Sequence, residues 1–157
     1  MNNQDNIIRN ECINWKKDGN RLVFTNGCFD LLHKGHKDLL AKALSYGDIL
    51  IVGLNSDNSV KLIKGQERPI QDQQIRKDSL INSGFIKRVY IFNNMTPLNL
   101  IRLIKPDVLV KGGDYKLEDI IGAEDVISWG GEVKIIPITP GFSTTSSIKK
   151  LKRQGLV

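Results

Sequence analysis

The segment RLVFTNGCFDLLHKGHKDLLAKALSYGDILIVGL, residues 21–54, joins two apolar runs through a helical stretch. The runs at 21–25 and 48–54 are rich in Val, Ile and Leu, and between them apolar side chains recur at helical spacing over 36–46. An apolar strand, a crossover helix and a second apolar strand are the unit from which parallel sheets are built. The segment therefore predicts an α/β fold.

The same alternation continues towards the C-terminus. Further strands are predicted at 88–92, 107–111 and 132–138, and further helices at 71–83, 97–104, 118–128 and from about Ser143 onward. The uninterrupted run ILIVGL at 49–54 is typical of a strand covered on both faces, and Pro137 favours an edge strand or a strand end for the fifth run. We expect a five-stranded parallel Rossmann-like sheet with helices on both faces.

Length and composition indicate one ordinary globular unit. The chain has 157 residues, of which 40% are hydrophobic and 25% charged, and this excludes a disordered tail, a collagen-like fibre and a disulfide-rich mini-domain. We assign residues 1–20, where Ile8, Cys12 and Trp15 recur at helical spacing, to an N-terminal helical extension and residues 21–157 to the α/β domain. No run of about 20 apolar residues exists, and the chain start lacks the apolar block of a signal peptide. We therefore expect a cytoplasmic protein with no membrane partner.

The charge is unevenly distributed along the chain. The net charge is +6, and the residues from Val133 onward include no acid and five bases, Lys134, Lys149, Lys150, Lys152 and Arg153. Such a basic end attracts RNA, an anionic membrane or phosphate-bearing small molecules, and it is equally typical of a solvated helix face. Aromatic residues, which RNA-binding surfaces use for base stacking, make up 6% of the chain and lie mostly in apolar runs. We therefore expect no nucleic-acid partner.

Cysteine and histidine are too few for the common metal sites. Cys12 and Cys28 are the only cysteines and form no C-x-x-C pair, which excludes a cysteine-rich zinc site and a thioredoxin-type redox motif. His33 and His36 are the only histidines, whereas catalytic zinc usually takes three protein ligands. We predict no metal site built from protein side chains.

Polar and glycine-rich loops follow all five predicted strands. They lie at 26–30, 55–57, 93–97, 111–115 and 139–145. The carboxyl ends of parallel strands meet at one edge of the sheet, and ligands bind there, where the strand order reverses. The loops therefore predict one large polar site.

His33 and His36 stand at the mouth of the first crossover, just before a predicted helix. Two imidazoles three residues apart share a helix face, and the start of a helix favours an anion. The pair therefore suits a phosphate. Two surface or half-buried histidines without a ligand are the alternative.

Three further segments carry groups that bind phosphates or bases. The charged stretch at 64–68, which contains Lys64 and Arg68, fits a phosphate-gripping loop or a solvated one. The hydroxyl cluster at 143–147 opens the last predicted helix, where hydroxyls either cap the helix or hold a phosphate. The glycines at 112–113 let backbone groups read a base edge, or form a turn.

These residues together resemble a known family. The segments TNGCFD (25–30) and HKGH (33–36) resemble the signature of the cytidylyltransferase-like nucleotidyltransferases. Within that superfamily the chain is similar to the heptose 1-phosphate adenylyltransferases. The matching segments run from about Phe24 to Thr145 and comprise FTNGCFDLLHKGH, GDILIVGLNSDNSV, IKG, RPI, TPLNLI, KPDVLVKGGDY, GGEVKIIPITPG and STT. LVKGGDY and GFSTT are more specific to the sugar-phosphate branch than the histidine motif is.

The resemblance implies a nucleotidyltransferase domain over 21–157 that joins a sugar 1-phosphate to the α-phosphate of ATP. The products would be pyrophosphate and an ADP-sugar, and in the heptose pathway the ADP-heptose serves lipopolysaccharide biosynthesis. ATP would be a substrate accompanied by Mg²⁺, and a homodimer is expected. Many relatives fuse this domain to a sugar kinase, whereas this chain resembles the stand-alone form. The resemblance therefore implies a separate sugar kinase in the same pathway.

The resemblance also implies the site residues. His33, His36 and Lys64 would be the catalytic residues, because they would stabilise the charge of the transition state. The nucleotide and its phosphates would be bound by Thr25, Asn26, Gly27, Phe29, Asp30, Arg76, Lys111, Gly112, Asp114, Ser143, Thr144 and Thr145.

The chain departs from the family pattern at four positions. Lys87, Asn93 and Asn94 stand where relatives often carry acidic residues, and Ser147 stands where an aliphatic residue is expected. These departures bear on the dimer interface or the sugar pocket rather than on the phosphate-handling residues.

Two other functions stay open. A CTP-dependent cytidylyltransferase acting on an alcohol phosphate such as glycerol 3-phosphate shares the fold and the histidine motif, and nucleotide choice distinguishes it. A nucleotide-sensing or RNA-binding module on the same scaffold would lack one imidazole or the lysine loop, since fold alone does not determine function. Here both histidines and the lysine are present.

Overall fold

The computed structural model describes residues 2–137. The helices are α1 (Asn3–Lys17), α2 (Lys34–Leu44), α3 (Asp57–Lys64), α4 (Gln73–Asn82), α5 (Leu98–Ile104) and α6 (Ala123–Ser128), with a 3₁₀ turn at Leu117–Asp119. The strands are β1 (Leu22–Gly27), β2 (Ile49–Asn55), β3 (Arg88–Phe92), β4 (Val108–Gly112) and β5 (Glu132–Ile136). The predicted helix at Ser143 and most of the basic C-terminal end lie outside the described residues.

The five strands form one parallel sheet in the order β3-β2-β1-β4-β5. The chain moves outward from β1 through β2 to β3 and then returns to place β4 on the other side of β1. The strand order therefore reverses between β1 and β4, whose carboxyl ends are Gly27 and Gly112. A cleft for ligands is expected at that point.

The core consists of two layers, one on each face of the sheet. Successive residues of a strand point to opposite faces, so Phe24 and Ile51 pack with α1 and α5, whereas Val23 and Leu50 pack with α2 and α4. Every residue of β2 is buried, as an apolar strand second from the edge requires when helices cover both faces. The predicted fold class and the five parallel strands are confirmed.

Two helical segments differ from the sequence prediction. The stretch predicted as a polar connection after β2 forms α3, which Ser56 caps by accepting a hydrogen bond from the Ser59 amide at 3.2 Å. The helix predicted over 118–128 is divided into the 3₁₀ turn and α6. Gly122, at φ +86°, separates the two, and a Cβ there would lie 2.7 Å from the Ile101 side chain. α3 has only eight residues, and the Ser56 cap with Asp57 in the first turn was the local signal for it in the sequence.

β5 lies at the edge of the sheet and ends at Ile136, so that Pro137 follows it directly. Proline donates no ladder hydrogen bond and is tolerated at such a position. The prediction of an edge strand or strand end is confirmed. Across residues 2–137, no helix has the length and apolar character needed to cross a bilayer.

We expect Leu50→Ala to lower the free energy of unfolding by about 2–5 kcal/mol, because it leaves a cavity in the packed layer. Leu62→Ala is the matched control, since the Leu50 side chain is fully buried and Leu62 is 68% exposed. The control should change the free energy by less than about 0.5 kcal/mol. Urea unfolding monitored by circular dichroism measures both, and equal losses would contradict the two-layer core.

Candidate active site

The loops that follow β1, β2 and β4, which are among those predicted to form a site, lie at the carboxyl edge of the sheet. The predicted loop at 139–145 lies outside the described residues. The turn after β1 carries the two histidines, α3 follows β2, and the end of β4 carries Lys111. β1 and β4 are neighbours at the reversal of strand order. The fold therefore places the histidine turn beside the β4 loop, because the two strands that these segments follow are neighbours in the sheet.

His33 and His36 form a reciprocal cap at the start of α2. The His36 amide donates to His33 Nδ1 at 3.3 Å, and the His33 amide donates to His36 Nδ1 at 3.4 Å. The two rings stack with centroids 3.8 Å apart and planes 14° from parallel. The local geometry is a capping box in which imidazoles take the places usually filled by Ser or Thr and Glu.

This cap determines the tautomer of each ring. A nitrogen that accepts a hydrogen bond from an amide carries no proton, so both Nδ1 atoms are deprotonated. In the neutral imidazole the proton then lies on Nε2. The stacked pair thus holds two parallel rings, each with one Nε2–H donor.

Burial keeps both rings neutral. Burial, with smaller contributions from the neighbouring His33 and Lys64, lowers the pKa of His36 to about 4. Burial also lowers the pKa of His33. At neutral pH the pair therefore donates hydrogen bonds without carrying charge.

The turn that delivers the histidines has an unusual backbone. Phe29 at φ +47° and Leu31 at φ +58° both adopt the left-handed region, which costs a non-glycine residue of order 1 kcal/mol and is found at constrained functional turns. The Phe29 ring packs edge-on against His36 with centroids 5.3 Å apart. A Cβ at Gly27 would lie 3.0 Å from the Phe29 ring. Gly27 therefore makes room for the ring that supports His36.

Asp30 is fully buried and holds a second loop against this turn. Its Oδ2 accepts from the Ile70 amide at 2.7 Å and from Arg68 Nε at 3.1 Å, and its Oδ1 accepts from the Gln71 amide at 2.9 Å. The carboxylate thereby joins the histidine turn to the segment between α3 and α4. These contacts position two loops, and the role of Asp30 as a nucleotide ligand stays a prediction.

Arg76 is fully buried at the start of α4 and joins four parts of the chain. Its Nη1 donates to the carbonyls of Cys28 and Asn55, each at 2.8 Å, and its Nη2 donates to Asp57 Oδ1 at 2.8 Å. Its Nε donates to the Gln71 carbonyl at 3.0 Å. All three nitrogens therefore bind protein acceptors, and Arg76 orders the loops that surround the site.

Cations converge on the thiol of Cys28, beside the histidine turn. Burial raises the pKa of Cys28, while the nearby charges of Lys64, Arg76 and Arg68 act to lower it. Lys64 is exposed at the end of α3 and also acts on His36. The predicted loop lysine thus lies close enough to the histidine pair for its charge to be felt there.

A cavity of about 120 Å³ opens on the β4 side, lined by residues that include Asn26, Pro97, Lys111 and Tyr115. Lys111 Nζ lies 5.0 Å from the centroid of the Tyr115 ring, a cation–π arrangement. Burial lowers the pKa of Lys111. A flat ring, an amide and a cation in one small cavity are suited to a heteroaromatic base.

The predicted site residues occupy three kinds of position. The first group lies at or around the histidine turn and comprises Gly27, Phe29, His33, His36 and Lys64. The second group lines the cavity and comprises Asn26 and Lys111. The buried group comprises Thr25, Asp30 and Arg76.

Two predicted residues of the β4 loop differ from each other in surroundings. A Cβ at Gly112 would lie 3.0 Å from the Leu39 side chain, so this glycine packs closely against α2. Asp114 is exposed. Ser143, Thr144 and Thr145 lie outside the described residues. Tyr115 belongs to the predicted polar loop at 111–115 but was not singled out as a site residue, although its place in the KGGDY segment was a usable signal.

The chain is similar in sequence to known proteins. The model of a family described as cytidylyltransferase-like matches residues 24–150. The chain is 53% identical over 136 residues to the bifunctional protein HldE of Koribacter versatilis and 50% identical over 136 residues to that of Geobacter sulfurreducens. Each alignment covers 87% of this chain and 28% of the relative. The chain thus spans about a quarter of the length of these relatives.

Solved structures share the fold. The lipopolysaccharide core biosynthesis protein from Thermoplasma volcanium superposes with a TM-score of 0.61 at 27% identity, covering 77% of this chain and 98% of that one. A protein of unknown function from Archaeoglobus fulgidus superposes with a TM-score of 0.58 at 20% identity, covering 79% and 93%. The second likeness concerns the fold alone.

We expect Arg76→Met to lower the free energy of unfolding by about 3–5 kcal/mol, because it leaves buried acceptors unpaired. Arg102→Met is the matched control: the Arg102 Nε donates to Asp125 at 2.8 Å, but the side chain is 56% exposed. The control should lower the free energy of unfolding by less than about 1 kcal/mol. Denaturant unfolding measures both variants, and an Arg76 variant as stable as the control would show that the four contacts do not stabilise the fold.

Stability should fall with acid through the histidine pair. The pKa of His36 is about 4 in the folded chain against an ordinary value of 6.5, so the unfolded chain takes up the proton first. The contribution of His36 is complete above about pH 6.5 and is lost as the pH falls towards 4. Urea unfolding between pH 7 and 4, compared between wild type and His36→Gln, isolates this contribution. A His36 ring that titrates near its ordinary value by NMR would contradict the buried, capped state.

Proposed function

The chain belongs to the cytidylyltransferase-like family, and we propose that it transfers AMP from ATP to D-glycero-D-manno-heptose 1-phosphate. The products are ADP-heptose and pyrophosphate. The identity to the HldE proteins and the fold shared with a lipopolysaccharide core biosynthesis protein support this substrate class. The observation that carries the proposal is the reciprocally capped, neutral histidine pair with its two Nε2–H donors beside Lys64.

The reaction requires stabilisation of negative charge and does not require a general base. An oxygen of the sugar phosphate is already ionised, and it forms the new bond to the α-phosphorus as the bond to the bridging oxygen of pyrophosphate breaks. Negative charge on the non-bridging oxygens must be stabilised while this happens. Fixed hydrogen-bond donors in a buried site do this well, because they need no reorganisation at the moment of reaction.

The histidine pair is suited to that role. Its Nδ1 atoms are occupied by amides, so the rings cannot rotate without breaking the cap. The depressed pKa of both rings keeps them neutral at neutral pH, and because each Nδ1 accepts an amide hydrogen bond, the single proton of each ring lies on Nε2. Lys64 adds a full positive charge from the flexible end of its side chain, and we assign it to the phosphates of the nucleotide.

We assign the base of the nucleotide to the cavity beside β4. Asn26 and Lys111 offer polar groups there and Tyr115 offers a ring face. The family description favours CTP as the second candidate nucleotide, with an alcohol phosphate such as glycerol 3-phosphate as acceptor. Adenine and cytosine differ in ring size and edge pattern, so this cavity is where the two activities diverge.

Further parts of the proposal rest on the resemblance. Ser143, Thr144 and Thr145 are assigned to phosphate binding at the last helix. Mg²⁺ is expected to arrive with ATP, bound largely by phosphates and water; in the stretch from 2 to 137, no three His, Cys, Asp or Glu side chains converge on a metal position. A homodimer, a separate sugar kinase that supplies the acceptor, and a cytoplasmic location stay predictions.

The test measures pyrophosphate release with ATP or CTP, each against heptose 1-phosphate and glycerol 3-phosphate. We expect turnover with ATP and heptose 1-phosphate. His33→Ala and His36→Ala should each lower kcat/KM about 100-fold or more, because each removes one donor to the transition state.

Lys37→Ala is the control, since Lys37 is exposed on the same helix, one residue beyond His36. It should leave the rate unchanged. Turnover with CTP alone would establish the second candidate. No pyrophosphate release with any of the four combinations of nucleotide and acceptor would contradict both transferase assignments.

A further inference from the structure

Arg68 lies between α3 and α4, on the segment that Asp30 holds against the histidine turn. Its side chain is 14% exposed, and its Nε donates to Asp30 Oδ2 at 3.1 Å. The same carboxylate also accepts from the Ile70 and Gln71 amides. The guanidinium plane of Arg68 is therefore held by a partner that is itself immobilised.

One nitrogen of this guanidinium has no acceptor in the described part of the chain. Nη2 of Arg68 is buried, and among residues 2–137 nothing accepts a hydrogen bond from it. Buried polar groups are nearly always paired, and an unpaired donor on a charged group is costly. Such a donor, held against the histidine turn by Asp30, indicates a group that arrives with a ligand.

The surroundings of Arg68 favour an anion as that ligand. Its charge and those of Lys64 and Arg76 all act on Cys28, on the turn that leads to the histidine pair. All three side-chain nitrogens of Arg76 donate to protein acceptors, and Lys64 is exposed. Among these three cations, Arg68 combines a fixed position with a buried donor that is unused.

We propose that Arg68 is a phosphate ligand, with Nη2 donating to a phosphate oxygen of the substrates, and that Asp30 is its positioning residue. This proposal rests on the proposed function, because it assumes that phosphates enter this cleft. Two phosphates qualify: the pyrophosphate portion of the nucleotide and the phosphate of the acceptor. Arginine suits the role better than lysine, since its planar fork binds Asp30 and a second acceptor at once.

The test is direct binding, so it does not depend on turnover. Isothermal titration calorimetry with inorganic pyrophosphate, heptose 1-phosphate and inorganic phosphate is compared between wild type, Arg68→Gln and Arg68→Lys. Both variants should weaken binding of at least one phosphate compound about 10- to 100-fold, the range of a hydrogen bond to a charged group. Loss for pyrophosphate identifies the nucleotide phosphates, and loss for both heptose 1-phosphate and inorganic phosphate identifies the acceptor phosphate.

Two controls separate ligand binding from folding. Arg102→Gln removes another arginine whose Nε binds a carboxylate, on the surface, and it should leave all three affinities unchanged. Asp30 keeps its two amide donors in Arg68→Gln, so the thermal midpoint should stay within a few degrees of wild type. Should that variant unfold, the side-chain NMR signal of Arg68 in the wild-type protein decides, because it must shift on addition of pyrophosphate or heptose 1-phosphate.

Two results would overturn the proposal. One is unchanged affinity of a folded Arg68→Gln protein for all three compounds. The other is weaker binding of heptose 1-phosphate alone, which would place Nη2 on a sugar hydroxyl. Failure of the transferase assays with intact, Arg68-dependent pyrophosphate binding would instead contradict the proposed reaction and leave the phosphate ligand standing.

Discussion

The buried guanidinium of Arg76 is the contact on which the arrangement of the site depends. Through its bonds to Cys28, Asn55, Asp57 and Gln71, it fixes the ends of β1 and β2 and the starts of α3 and α4 relative to one another. A parallel sheet brings its carboxyl ends to one edge but leaves their loops unpaired. Here one cation supplies the missing hydrogen bonds, and Asp30 does the same with an anion on the neighbouring segment.

Around this frame the site separates two kinds of positive group. Arg76 and Arg68 are held by carboxylates, with their orientation set by the fold. Lys64 is exposed and able to follow a substrate. The histidine pair adds donors that carry no charge at neutral pH. A polyphosphate entering this site would therefore meet the adjustable charge of Lys64 at the rim first and the fixed donors further in.

The sheet could be predicted from the sequence because buried parallel strands are continuous apolar runs, and β3 begins and ends at the predicted residues. The histidine motif was also visible, since its spacing and the following helix are local features. The contacts that Asp30 and Arg76 make within the protein were not, because a charged residue has the same letter whether it faces a ligand or a carbonyl. Burial and partners arise only when distant segments meet, so these internal bonds of the loops needed the structure.

The reciprocal cap of His33 and His36 makes the two positions one structural unit. Each ring accepts the amide of the other residue, so a change at either position also withdraws a hydrogen bond from its neighbour and loosens the first turn of α2. The two positions should therefore be non-additive: replacing both rings should cost less stability than the sum of the two single replacements, because the first replacement already breaks the cap.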